Sequence, residues 1–295
     1  MTDIGIIGAG RLGTTLGRAL AAKGHRIRAL ADRSLQSAKE GRRLVGRGRP
    51  VTDIAVAAAA GRVVILCLPD EEIPAAVARL ARSGVDWRRK TVLHTSGALP
   101  AEVLGPLRKK GAAVGSIHPA QSFPEKGMPP SRFRGISFGL EGDRAALDVG
   151  GRLIRDLGGH ALVLSAADKP LYHAACTMAS NYPVILWQAA AGLLERAGIT
   201  GRGARRVIVP LAEGTLLGVK KLDPERALTG PIVRGDLRTV KAHLQALGRL
   251  APEHLGIYRE VGLAALVTAR KRGLAAGRVR AMRALLEGGR PLPRG

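Results

Sequence analysis

The feature that most constrains this chain is a run of glycines placed almost at its beginning. Asp3 to Ile7 form a short apolar run that stops at Gly8-Ala9-Gly10-Arg11-Leu12-Gly13. Leu12, Leu16, Ala19 and Leu20 then recur at spacings of three and four, the period of an amphipathic helix. Gly24 ends that helix, and Ile27 to Ala31 reads as a second strand. Strand, tight turn, helix and strand within about 30 residues is the setting that gives such a glycine pattern its meaning. Gly8 permits the turn, and Gly10 leaves the backbone bare where a diphosphate would lie. Gly13 lets the helix close on the strand, while the helix start offers free N–H groups to phosphates. The alternative is a glycine-rich turn without a ligand. Its position between a strand and an amphipathic helix favours the dinucleotide, with Ala9, Arg11 and Leu12 completing the turn.

The alternation continues. Val63–Leu68 reads as a buried strand ending at Pro69-Asp70, with Leu68 and Pro69 expected beside the cofactor. Helical spacing follows through Ile73, Val77 and Leu80, then a strand at Thr91–His94 and a helix around Leu99–Leu107. Ala113–Ile117, Ile136–Leu140 and Ala161–Leu164 read as further strands, the last two flanking a helix from Ala145 to Leu157. Strands alternating with helices imply a doubly wound, mainly parallel sheet. Beyond Ser165 the pattern is helical. The expected domains are therefore an α/β unit over 1–165 and an all-helical unit over 166–295.

Composition excludes other classes. With 295 residues and 46% hydrophobic content, the chain is long enough for two packed domains and too apolar for disorder. Two cysteines, Cys67 and Cys176, give no disulfide framework and read as reduced core thiols, which suits a cytoplasmic protein. No signal peptide is evident. Leu171 to Leu194 has the length of a membrane span, but His173, Thr177, Asn181, Pro183 and Gln188 interrupt it. A buried central helix is the expectation there, with no membrane. The formal charge of +24 divides evenly, +12 on either side of residue 165. Its densest run is Arg270, Lys271, Arg272, Arg278, Arg280, Arg283, Arg290 and Arg294. No aromatics interleave it for base stacking, so it reads as a solvated face rather than a nucleic-acid surface. No HExxH or paired-cysteine spacing indicates a metal, and Ser96 lacks a GxSxG elbow.

An acid about 20 residues past the glycine turn usually holds the ribose hydroxyls, and Asp32 fits. Arg33 and Ser34 follow it and are the residue types that grip a 2′-phosphate. Asp32 would repel that phosphate unless it turned away. Lys39, Arg42 and Arg43 lie nearby and tip the expectation to NADP, with NAD the other choice.

Two further segments carry a resemblance. One pairs His94-Thr-Ser96-Gly97-Ala98-Leu99 with His118-Pro-Ala-Gln121-Ser-Phe123. The other is Ala227-Leu-Thr229-Gly230-Pro231-Ile-Val-Arg234-Gly-Asp236, with His243 downstream. Together they resemble the Rossmann-like oxidoreductases that carry the domain of unknown function 2520. The layout is more distantly similar to the 6-phosphogluconate dehydrogenase and pyrroline-5-carboxylate reductase group. The resemblance implies a dinucleotide domain, a helical domain that builds a homodimer, and hydride transfer to a small carbonyl or imine substrate in a cleft between them. A non-catalytic dinucleotide sensor is the alternative.

Ligands of open α/β sheets bind beyond the carboxyl ends of strands, where His94, Ser96 and His118 stand. As histidines titrate near neutral pH, they are candidate proton donors. Lys169, His173 and Thr177 recur at i+4 steps, Asn181 continues that line, and Asp168 with Pro170 suits a helix start. In the related dehydrogenases a lysine and an asparagine four residues on approach the reacting carbon. Here histidine stands in the asparagine's place. Lys169 as a solvated residue near a helix start is the alternative. The same resemblance assigns Thr229 and Gly230 to the substrate, with His243 able to point back to the cleft. Arg234 could clasp a carboxylate or pair with Asp236.

Overall fold

A computed structural model describes residues 1–288. It divides into two compact units, Met1–Tyr182 and Pro183–Gly295.

In the first unit, β1 (Asp3–Ile7) is followed by α1 (Arg11–Ala22), β2 (Arg26–Ala31), α2 (Leu35–Val45), β3 (Arg49–Val51), α3 (Ile54–Ala60) and β4 (Val63–Leu66). Then come α4 (Ile73–Ala81), β5 (Thr91–His94), α5 (Gly105–Arg108), β6 (Ala113–Pro119), β7 (Ser137–Gly142), α6 (Arg144–Leu157) and β8 (His160–Val163). The strands form one sheet in the order β3-β2-β1-β4-β5-β6-β7-β8. Every pairing is parallel except β6 with β7. This is the expected doubly wound Rossmann-like architecture. The chain order reverses beside β1, which pairs with β2 on one side and β4 on the other.

Alternation along buried strands explains the layering. Ile4, Ile6, Ile65 and Leu93 face one layer with Leu16 and Leu20 of α1 and Leu153 and Ile154 of α6. Ile7, Val64, Leu66 and Val92 face the other, with Val77 and Leu80 of α4 and Trp87. Gly5 lets α3 lie against β1, since a Cβ there would stand 2.1 Å from the Ala57 carbonyl oxygen.

Several expectations need adjustment. The strand expected over 63–68 ends at Leu66. The helix expected around Leu99–Leu107 is a 3-10 turn, Ala101–Leu104, running into the short α5, because Pro100 and Pro106 interrupt a longer helix. The edge strand β3, with Pro50 at its centre, has too little alternation to be legible.

The helix α7 (Lys169–Arg196) carries the division between the units, which falls later than the expected boundary at 165. It is not the buried central helix expected from its composition. Lys169 is its one buried residue, while Leu171 is 76% exposed and Met178 64%. Among the described residues, no helix is long and apolar enough to cross a membrane. Asp168 supports the helix start through its carbonyl, which accepts the Tyr172 N–H, while its carboxylate accepts the Ser165 hydroxyl.

The second unit is helical: α8 (Arg202–Lys221), α9 (Pro224–Ala227), α10 (Pro231–Arg234), α11 (Leu237–Leu250), α12 (Leu255–Lys271) and α13 (Ala276–Glu287) follow α7. Val240, Leu266, Ala269, Met282 and Leu286 form its small core. Asp236 caps α11 as expected, accepting the Thr239 N–H at 3.0 Å. Of the basic run, Arg290 and Arg294 lie outside the described residues.

Candidate cofactor and active site

The glycine turn lies where β1 gives way to α1. Gly8 has φ +101°, and a Cβ there would stand 2.3 Å from the Cys67 carbonyl oxygen. At Gly13 a Cβ would stand 1.9 Å from the Gly8 carbonyl oxygen, so helix and turn touch through bare backbone. Gly10 differs: a Cβ there meets nothing within 4 Å. It faces open space at the start of α1, and no side chain caps that helix. Its first-turn N–H groups are thus left to water or to an anion.

Beside this turn lies a groove of about 550 Å³. Gly8, Gly10, Asp32, Arg33, Leu68 and Pro69 line it, together with Thr52, Glu71, Glu72 and Arg79. The other expected cofactor residues are differently placed. Ala9 is buried and gives its N–H to Asp32 Oδ2 at 2.9 Å. Arg11 and Leu12 open α1, and Ser34 Oγ caps α2 by accepting the Ser37 N–H. Asp32 Oδ1 accepts the Arg33 N–H at 2.7 Å, so backbone donors hold both carboxylate oxygens.

A second set of side chains gathers at the tips of β5 and β6 and the start of α7. Lys169 is fully buried. Its Nζ donates to Ser116 Oγ at 2.7 Å and to the Ser96 carbonyl at 3.3 Å. Burial lowers its pKa, while Glu141 and Asp70 pull the other way. The Tyr172 hydroxyl and His118 Nδ1 share a hydrogen bond of 3.1 Å. The rings of His118 and His173 meet edge to face, with centroids 5.6 Å apart. Both rings crowd Gly97, where a Cβ would stand 2.5 Å from His173 Cδ2 and 3.0 Å from the His118 ring.

The expected proton-donor roles change. His94 is fully buried, and its Nδ1 accepts the Ser96 N–H. Burial first, and the Lys169 charge second, push its pKa down to about 3. His118 falls to about 4 through burial, His173 and Lys169. Neither is an imidazolium at neutral pH. Their pKa values leave the range of free histidine because the strand tips are dry and already hold a cation. Ser96 is also committed. Its hydroxyl donates to Asp70 Oδ2 at 2.7 Å and accepts the N–H groups of Ala98 and Leu99. It shapes the loop and ties the β5 tip to the segment that lines the groove.

Asn181 is exposed. Thr229, Gly230, Arg234 and His243 belong to the second unit. Gly230, at φ +112°, opens α10, and Arg234 at its end is exposed. His243 Nδ1 shares a 2.8 Å hydrogen bond with the Tyr258 hydroxyl, and both line an apolar cavity of about 410 Å³.

Sequence reasoning missed Ser116, Glu141, Tyr172 and Asp70. Ser116 and Glu141 are polar residues inside apolar strands, a signal that was available, since each must find a partner when buried. Glu141 Oε2 accepts the Ala101 N–H at 2.7 Å. Among the described residues no three His, Cys, Asp or Glu side chains are grouped to hold a metal ion.

Fold and sequence together define a Rossmann-like α/β unit followed along the chain by a helical one. Residues 1–119 match the Rossmann-like domain family, and residues 136–265 match the domain of unknown function 2520. The chain thus carries, in that order, a match to each of these two domain families. No curated protein matches it. Among solved structures it is similar to a Bacteroides fragilis protein described as a candidate NADP oxidoreductase. That pair has 24% identity and a TM-score of 0.76, covering 90% of this chain and 97% of the other. Protein TM1727 of Thermotoga maritima has 26% identity and a TM-score of 0.70, with coverage of 91% and 99%. A reductive aminase from Aspergillus terreus, solved with NADPH and ethyl-5-oxohexanoate, has 18% identity and a TM-score of 0.58, with coverage of 98% and 93%. These likenesses establish the fold.

Proposed function

We propose that this chain is an NAD(P)-dependent oxidoreductase that acts on a small carbonyl or imine compound. The observation that carries the reading is the Ser96–Asp70 hydrogen bond. Asp70 lies within the segment Leu68–Glu72, four of whose residues line the groove, while Ser96 ends the strand loop beneath Lys169. Cofactor groove and polar cluster thus adjoin within one compact unit.

The groove fits a nicotinamide dinucleotide. The uncapped start of α1 would hold the diphosphate, Gly10 leaves room for it, and Asp32 would accept ribose hydroxyls. When bound, the dinucleotide supplies the hydride. The chain supplies orientation and a proton. Lys169 has three N–H donors as an ammonium, and two are held by Ser116 and the Ser96 carbonyl. The third would serve the substrate's oxygen or nitrogen. His118, neutral and fixed by Tyr172, would hold the substrate through a hydrogen bond. The names of the B. fragilis and A. terreus proteins, which carry NADP and NADPH, support the cofactor class.

The exposed apolar side chains of α7 and α8, among them Ile185, Leu186, Leu211 and Leu216, support a homodimer built through the helical unit.

The test is dinucleotide oxidation with a panel of small aldehydes, ketones, cyclic imines and ketone–amine mixtures. Turnover of at least one, strongly reduced in Lys169→Met, supports the reading. A second reading, a dinucleotide sensor, draws on the complete burial of Lys169 and His94. Tight binding with no turnover across the panel would favour it.

A further inference from the structure

The groove beside the glycine turn lies past the last residues of the parallel strands, with Ile7 of β1, Ala31 of β2 and Cys67 just after β4 on its wall. At the other end of the same strands is a second groove, of about 750 Å³. The first residues of five strands line it: Asp3 of β1, Arg26 of β2, Val63 of β4, Thr91 of β5 and Ala113 of β6. Helix α6 adds Asp148, Arg152 and Asp156. All of these belong to the first unit, and the oxidoreductase reading uses none of them.

The charges of this groove do not cancel. Each acid on its wall is committed: Asp3 to Arg26 and Arg28, Asp148 to Arg144, and Asp156 to His25. Among the described residues, three arginines on the same wall, Arg62, Arg89 and Arg152, have neither an ion-pair partner nor a side-chain hydrogen bond. All three are exposed. Lys90 beside them is held only by the carbonyls of Ala59 and Gly61.

A chain with 47 bases and 23 acids leaves arginines unpaired in many places. Two observations set this group apart. Among the described residues, Arg89 alone has a positive φ, +61°, without being glycine. It stands in the turn that the Lys90 N–H closes on the Trp87 carbonyl at 3.1 Å, and left-handed backbone in a turn calls for glycine. An arginine kept there at a steric cost, with no partner for its side chain in the chain, points to use outside the fold. The second observation is His25, which lines the groove and is 4% exposed. Its Nε2 shares a 3.1 Å hydrogen bond with Asp156, while its buried Nδ1 has no partner. Such an atom has a hydrogen bond to gain from a ligand group placed beside it.

We propose that this groove is a second ligand site, for an organic phosphate of nucleotide size. Guanidinium forks match phosphate oxygens, and three of them suit clustered negative charge. The volume is in the range that holds a small organic ligand and exceeds what a bare phosphate fills. Arg62, Arg89 and Arg152 take the phosphates, and Ala145, Val149 and Leu153 on the same wall meet the organic part.

Calorimetric titration of the full chain with ATP as the probe tests this, with pyrophosphate, citrate and adenosine alongside. The expected result is binding of ATP, weaker binding of pyrophosphate and citrate, and none of adenosine. The double variant Arg89→Gly, Arg152→Ala should weaken ATP by roughly tenfold or more. Gly10→Ala, at the other end of the strands, should leave ATP affinity unchanged, which separates this site from the dinucleotide groove. Arg89→Gly alone should hold or raise the thermal unfolding midpoint, because it gives the turn the residue its backbone favours. No ATP binding by the unsubstituted protein overturns the proposal. So does ATP binding that Gly10→Ala abolishes and the double variant keeps, since the phosphates would then sit at the glycine turn. Pyrophosphate or citrate binding as tightly as ATP overturns the nucleotide-sized ligand. A lowered midpoint in Arg89→Gly overturns the claim that this arginine serves no purpose within the fold. Loss of dinucleotide binding or turnover bears on the oxidoreductase reading and leaves this one standing.

Discussion

Lys169 Nζ donates to Ser116 Oγ at 2.7 Å, joining the first residue of α7 to the middle of β6 across 53 positions of sequence. The ammonium is fully buried and has no carboxylate within ion-pair distance among the described residues. Neutral oxygens, the Ser116 hydroxyl and the Ser96 carbonyl, are what hold it. A buried cation held this way is sensitive to each partner.

Ser116→Ala should therefore destabilise the chain by about 1–3 kcal/mol, the cost of leaving a buried donor short of an acceptor. Urea unfolding measures it. Lys169→Met, which removes the charge and keeps the bulk, should cost less stability than its complete burial suggests, while abolishing turnover.

Gly10→Ala separates binding from folding. Gly10 has φ −77°, which any residue adopts, and a Cβ there touches nothing in the chain. Stability should change by about 0.5 kcal/mol or less, while dinucleotide affinity falls by roughly tenfold or more as the methyl occupies the diphosphate's approach. Gly13→Ala should fail on both counts, because its Cβ would strike backbone.

His94 gives a pH signature. Its pKa is about 3 when folded, against about 6.5 for an unperturbed histidine. The unfolded chain thus binds the extra proton between those values. The contribution is fully present above about pH 6.5 and is lost as pH falls towards 3. From pH 7 to 5 the loss from this one residue should be about 2 kcal/mol. Unfolding midpoints at the two pH values measure it, and His94→Asn should flatten the difference.

If the apolar faces of α7 and α8 meet a second copy, light scattering should report twice the 30.9 kDa chain mass. Ile185→Glu, at a side chain 54% exposed, should give the single-chain mass without unfolding the α/β unit. A single-chain mass for the unsubstituted protein would contradict the dimer.

The fold was largely legible because its signals are local. The glycine turn, the strand alternation at Ile4, Ile6 and Ile7, and the Asp236 cap each depend on neighbours in sequence. Of the candidate site, the sequence offered several residues that the fold brings together, without their ionisation or their partners. His94, His118 and Lys169 do meet at the strand tips, yet their ionisation depends on burial and on one another, which no spacing encodes. Tyr172 and Ser116 were missed because their partners lie more than 50 positions away. The long helix misled for a related reason. An apolar helix must be covered, and the sequence does not say that the cover comes from within the same chain.

The most direct test is a crystal structure of this chain with a nicotinamide dinucleotide bound. The account predicts the diphosphate on the N–H groups that open α1, the adenosine ribose on Asp32, and the nicotinamide ring beside Lys169 and His118. A ring bound far from those two side chains, or a diphosphate seated anywhere but at Gly10, would contradict it.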